Sequence, residues 1–147
     1  MKRITEKKRV ADMVADSPYR SLLEELDIPL FLAAYEAGEF ISAPWGQQTL
    51  FQIVCQGELS IYYVRDDGSR YSLAQGGAAY CLGEMALFEP NDATVFAQAA
   101  TAVLCLAFSV AGNEENLLAN NQFLRLICRN MSNKLLAATM CDAVSSS

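Results

Sequence analysis

Apolar residues fall into three textures along the chain, and each predicts a different kind of element. The first stretch carries Lys2, Arg3, Lys7, Lys8 and Arg9 within nine residues, with Asp12 and Asp16 behind them, and reads as a solvated amphipathic first helix. Ser17 and Pro18 supply an N-cap and a first-turn proline for a second helix through Leu22, Leu23 and Leu26, which Pro29 interrupts. From about Leu32 the pattern changes to short runs of β-branched, aromatic and leucine residues, punctuated by Gly38, Gly46, Gly57, Gly68, Gly76, Gly77 and Gly83. Such spacing predicts short strands joined by tight turns, with the best candidates at 51–55, 59–64, 71–74 and 95–108, the last long enough for two strands. Asp66, Asp67 and Gly68 mark a hairpin.

After Asn113 the period becomes helical. Leu117, Leu118, Phe123, Leu124, Leu126, Ile127, Met131, Leu135 and Ala138 recur over more than five turns, which predicts a long helix from about Asn121 to Cys141. A stripe of Phe123, Ile127, Asn130, Met131, Lys134 and Ala138 is wider than one contact with a β core requires, so part of the helix is expected to pack against a second copy. Phe123, Ile127, Met131 and Leu135 are the expected dimer interface. The prediction is a mainly β chain with flanking helices, divided into N-terminal helices at 1–31, a β-roll at 32–110 and a helical region at 113–142.

Composition narrows the chemistry. With 147 residues, 52% hydrophobic and 19% charged, the chain suffices for one domain with a substantial core. Its 17 acids and 11 bases leave a net charge of −6, which argues against direct nucleic-acid binding. It has no histidine, so the commonest general base, metal ligand and haem ligand are missing together. A cupin-type metalloenzyme, whose jelly-roll site uses two or three histidines, is excluded on that ground, and neither an enzyme nor a cofactor is expected. The five cysteines, Cys55, Cys81, Cys105, Cys128 and Cys141, are odd in number and widely spaced, without a C-x-x-C pair. They read as free thiols in a reducing cytoplasm, most of them packed as small hydrophobes. No apolar run reaches the roughly 20 residues of a membrane span, and the basic start lacks a signal-peptide core.

The stretch with most chemical content is Gly83-Glu84-Met85-Ala86-Leu87-Phe88, preceded by Gly76-Gly77 and followed by Pro90-Asn91-Asp92-Ala93-Thr94. A glycine and a glutamate at a strand end, followed by a short apolar turn, expose successive backbone N–H groups as an anion nest. Together with the Glu36-Ala37-Gly38-Glu39-Phe40-Ile41 turn, Gly57-Glu58-Leu59 and the Asp67-Gly68 hairpin, it resembles the cyclic-nucleotide-binding domain of the catabolite-activator and fumarate-nitrate-regulator family of bacterial transcription regulators. The resemblance covers nearly the whole chain.

That resemblance implies a double-stranded β-helix, or jelly-roll, barrel with a phosphate-binding cassette. A long C-terminal dimerisation helix follows in the family, and then a helix-turn-helix DNA-binding domain that is expected to be absent from this chain. By the resemblance, Gly83, Glu84, Met85 and Ala86 open the cassette, and Glu84 matches the acid that accepts from a ribose hydroxyl. Thr94 matches the small hydroxyl residue that contacts the phosphate, and Thr139 falls near the hydroxyl residues that reach the base. The family's arginine before that hydroxyl residue is replaced by Ala93, and no lysine or arginine occurs between Tyr71 and Leu124. A charge-assisted hydrogen bond contributes about 1.5 to 3 kcal/mol, so its loss costs on the order of tenfold to a hundredfold in affinity. Asp92 opposes an anion further, and cyclic AMP is not expected to bind.

Haem and iron–sulfur sensing are set aside because histidine is absent and no cysteine precedes Cys55. A small neutral or weakly polar effector, a thiol-based signal and a silent site stay open. The expected function is an effector-sensing, dimerising regulatory domain, with a free-standing small-molecule-binding or protein-interaction domain of the same fold as the alternative.

Overall fold

The edge of the first sheet is made by residues whose charge pattern suggested a helix. The computed structural model describes residues 1–43, 49–83 and 95–145, with side chains described as far as Asn133. Within it, strand β1 (Lys2–Ile4) pairs antiparallel with β2 (Phe31–Tyr35), placing Lys2 opposite Ala34 and Ile4 opposite Leu32. This corrects the start of the expected first helix, since Lys2–Ile4 form a strand and the helix begins only at Lys7. The alternation of Lys2, Arg3 and Ile4 lets Ile4 pack on the core, while the Arg3 guanidinium lies 4.4 Å from the Phe31 ring centroid. Helix α1 (Lys7–Asp16) follows, then α2 (Arg20–Glu25), which starts later than Ser17 and Pro18 indicated. Ser17 Oγ instead accepts the Tyr19 N–H at 3.1 Å, within the turn before the helix.

The remaining strands are β3 (Phe40–Ser42), β4 (Leu50–Gln56), β5 (Leu59–Val64), β6 (Arg70–Gly76), β7 (Cys81–Leu82), β8 (Val95–Ala99) and β9 (Val103–Ser109). They form two antiparallel sheets, ordered β1-β2-β9-β4-β7 and β3-β8-β5-β6. The 95–108 run is indeed two strands, and the expected hairpin joins β5 to β6. At its tip Asp67 Oδ1 accepts the Ser69 N–H at 2.8 Å and the Ser69 hydroxyl at 2.6 Å, and Gly68 takes φ +86°.

Alternation along β4 divides the core in two. Phe51 and Ile53 point outward with Leu32, Cys81, Leu106 and Phe108, and the helices cover them. Val54 points inward, between the sheets, with Ala33, Tyr35, Cys105 and Ala107. Helix α3 (Glu114–Leu118) inserts Leu117 into the outer core and leads to α4 (Asn121–Ser145). Asn120 Oδ1 accepts the Phe123 N–H at 2.9 Å and so caps the start of α4. The Phe123 ring then seats on Phe51 and Phe108, with centroids 5.2 and 6.2 Å away.

That seating corrects the apolar stripe. Phe123 and Ile127 are buried in the chain's own outer core, together with Leu126, so they do not form an exposed face on one chain. Met131 is 39% exposed, and Leu135 lies beyond the described side chains. The first two turns of α4 pack inward because the sheet presents a pair of stacked phenylalanines there, a partner that helical periodicity alone does not reveal.

Candidate functional site

Gly83 follows β7 and opens the stretch singled out in the sequence. Its φ is +99°, and a Cβ at this position would lie 2.0 Å from the Leu50 carbonyl oxygen. Both the backbone angle and the approach to β4 therefore require glycine. Glu84, Met85, Ala86, Ala93 and Thr94 lie outside the described residues, as does the side chain of Thr139 on α4. The structure describes both flanks of the stretch, Gly83 on one side and Val95, opposite Tyr63, on the other.

The flank before Gly83 is held from three directions. Val54 donates its N–H to the Tyr80 carbonyl at 2.9 Å, and Ala79 donates its own to the Val54 carbonyl at 2.7 Å. From the N-terminal side, the Tyr19 hydroxyl donates to the Ala79 carbonyl at 3.4 Å. From the C-terminal side, Asn130 on α4 donates its side-chain amide to the Cys81 carbonyl at 3.3 Å. Asn130, a member of the stripe read from the sequence, thus faces β7 of its own chain. Ala79 adopts φ +75°, a left-handed conformation that a residue with a Cβ takes only when its surroundings impose it.

Of the described cations, Arg129 on α4 acts on Tyr19 beside this flank, and Arg65 and Arg70 belong to the β5–β6 hairpin. The Arg65 guanidinium lies 4.9 Å from the Tyr71 ring centroid, and that of Arg70 lies 4.6 Å from Tyr62, so each stacks on a tyrosine of its own hairpin. Tyr62 in turn stacks on Phe96 at 5.3 Å, and Phe96 meets Phe40 at 5.7 Å, giving the outer face of the second sheet a row of rings. Burial pushes the Tyr19 phenol up, with Cys81 adding to it and Arg129 of α4 opposing it.

Inside the roll the structure brings together two polar side chains that the sequence reading passed over. Tyr35 donates its hydroxyl to Gln52 Oε1 at 2.5 Å, and both residues are buried. Desolvation pushes the Tyr35 phenol up to about 12, with Cys105 beside it adding to the shift. The signal available was a single glutamine inside the apolar run Leu50-Phe51-Gln52-Ile53-Val54.

Cys81 and Cys105 are buried and Cys55 is half-buried, in keeping with their reading as small hydrophobes, whereas Cys128 is exposed on α4. Burial pushes the Cys105 thiol up to about 12 and raises Cys55 as well, so both stay protonated and unreactive near neutrality. Among the described residues no group of three His, Cys, Asp and Glu could hold a metal ion, and no helix is long and apolar enough to cross a membrane.

Comparison with known proteins agrees with this architecture. The family model described as "Cyclic nucleotide-binding domain" matches residues 32–117. No curated protein matches the sequence. Among solved structures, the N-terminal domain of a transcriptional regulator from Streptomyces coelicolor superposes with a TM-score of 0.56 at 19% identity, over 95% of this chain and 87% of that one. The c-di-GMP responsive global regulator CLP of Xanthomonas campestris gives 0.67 at 19% identity, over 91% of this chain and 62% of its own. A regulatory subunit of a cAMP-independent protein kinase A from Trypanosoma brucei gives 0.66 at 15% identity, over 85% of this chain and 47% of its own. At such identities the likeness is one of fold.

Proposed function

Because the chain belongs to the cyclic nucleotide-binding domain family, we propose that it is the effector-sensing and dimerising domain of a bacterial transcription regulator, with a phosphate cassette that no longer holds cyclic AMP. The observation that carries this reading is the three-way hold on residues 79–81. A ligand that shifts the stretch beginning at Gly83 pulls directly on the Cys81 carbonyl, and so on Asn130 of α4. The same pull reaches the N-terminal helices through Ala79 and Tyr19. Binding and the long helix are thereby linked by hydrogen bonds rather than by distance alone.

The loss of cyclic AMP rests on charge. By the resemblance Ala93 brings no countercharge to a phosphate, and Asp92, its neighbour in sequence, adds a negative charge. Burying a phosphodiester there without a cation costs desolvation that neutral N–H and hydroxyl donors only partly offset. The domain is proposed to act in the cytoplasm as a homodimer through α4, reaching DNA only through a separate helix-turn-helix domain.

Calorimetry of the unmodified chain with cyclic AMP and with cyclic GMP tests the cassette, and no heat of binding is expected at micromolar nucleotide. A micromolar dissociation constant would overturn the reading. In Ala93→Arg, a gain of nucleotide affinity of tenfold or more is expected.

A further inference from the structure

The buried amide of Gln52 is only half used. Its oxygen accepts from Tyr35, but its two N–H donors meet no acceptor among the described residues, although the residue is only 5% exposed. An unmet buried donor costs about 1 to 3 kcal/mol, which leucine or methionine at the same position would avoid. Gln52 stands opposite Leu82, one residue before Gly83, so the amide sits one step from the mouth of the sensing stretch.

Its surroundings define what could answer it. Ala33, Cys105 and Ala107 on the first sheet and Ala97 and Ala99 on the second are small side chains of the inner cluster. Tyr35 on β2 meets Gln52 on β4 across the intervening β9. The inner cluster is built of apolar side chains, and the Glu39 carboxylate lies near enough to Tyr35 to push its phenol up, so an anion would enter against a negative charge. Tyr35, held as a neutral phenol, stays committed to Gln52 Oε1 and fixes the amide with its N–H donors free.

We propose that Tyr35 and Gln52 form a ligand-reading pair inside the roll, in which the Gln52 N–H donors bind the carbonyl oxygen of a small, uncharged, largely apolar effector. This rests on the reading of the domain as an effector sensor and names the chemistry of what it senses. The cassette's departure at Ala93 fits, since a neutral ligand has no phosphate to hold.

The test follows the Gln52 side-chain amide by 15N–1H NMR in the whole chain, the signal being assigned by its absence in Gln52→Leu. Acetophenone is the probe, isopropylbenzene is its counterpart without an acceptor, and benzoate its charged counterpart. Acetophenone is expected to shift the amide saturably and to bind about tenfold more tightly than isopropylbenzene, the value of one hydrogen bond. That preference is expected to vanish in Gln52→Leu and to shrink in Tyr35→Phe, while benzoate does not bind.

An amide that stays still at millimolar acetophenone overturns the proposal, as does equal binding of the three probes. So does a long-lived water seen at the amide in the presence of acetophenone, since the donors are then satisfied by solvent. Should Gln52→Leu fail to fold, the wild-type amide and the Tyr35→Phe variant still decide. The parent reading is judged separately by the mass of the chain in solution: a silent Gln52 in a dimer removes the interior site alone, and a responsive Gln52 in a monomer removes the dimer alone.

Discussion

Gly83 shows how far a single position can constrain the entrance to a site. Alanine there would meet both a left-handed backbone angle and a carbonyl oxygen of β4 at 2.0 Å. Gly83→Ala is therefore expected to cost about 2 kcal/mol or more in urea unfolding, with β7 the first element to lose hydrogen-exchange protection. The buried phenol and thiol give a second expectation at this scale. Tyr35 ordinarily ionises near 10 and Cys105 near 9, and both are pushed up to about 12 in the fold. A folded-state pKa raised in this way means that the stability from keeping each group neutral is complete below its ordinary value and is lost as pH rises towards 12. The unfolding free energy should fall between about pH 9 and 12, and Tyr35→Phe should flatten that fall above pH 10.

Helix α4 meets the core and then the candidate site along one face, Phe123 and Ile127 first and Asn130 a turn later. Phe123 is fully buried against Phe51 and Phe108, so Phe123→Ala is expected to cost about 3 to 5 kcal/mol in denaturant unfolding. Asn130→Ala should cost only about 1 kcal/mol overall but should speed amide exchange at Leu82 and Gly83, because it frees the Cys81 carbonyl rather than opening the core. The long helix and the β5–β6 hairpin were legible because each is specified locally, by helical period in one and by Asp67-Gly68 chemistry in the other. β1 was not legible, since its strand exists only because β2 offers it an edge. The turns of α4 that face home were hidden for the same reason: a stripe of apolar positions shows that a helix has a partner without saying which. The inner pair was hidden differently, because Tyr35 and Gln52 are 17 residues apart in sequence and meet only through sheet pairing.

The whole molecule is acidic, with 16 acids against six bases after Arg9. Its five leading bases are split between an edge strand and the start of α1. The isolated chain is expected to leave duplex DNA unshifted in a gel assay at physiological salt; binding that weakens steeply with salt would instead point to that basic start. For self-association, the inward turn of α4 changes which substitutions are informative. Ile127→Glu should unfold the chain, since Ile127 is core, whereas Met131→Glu combined with Leu135→Glu should leave it folded and halve the mass seen by light scattering. A native chain that is already monomeric at high concentration would remove the dimer.

The hold on residues 79–81 also separates two things that could have been one. Tyr19 and Asn130 grip main-chain carbonyls, which every amino acid supplies, and they grip them upstream of Gly83. If the downstream stretch reads a ligand as proposed, substitutions there would change what is recognised without touching these two contacts. On the proposed reading, alanine in place of a cassette arginine would leave these two contacts in place, and the roll would act as an exchangeable reader on a fixed transmission. Grafting a cassette that carries an arginine between Gly83 and Val95 should accordingly confer nucleotide affinity without any change in α4.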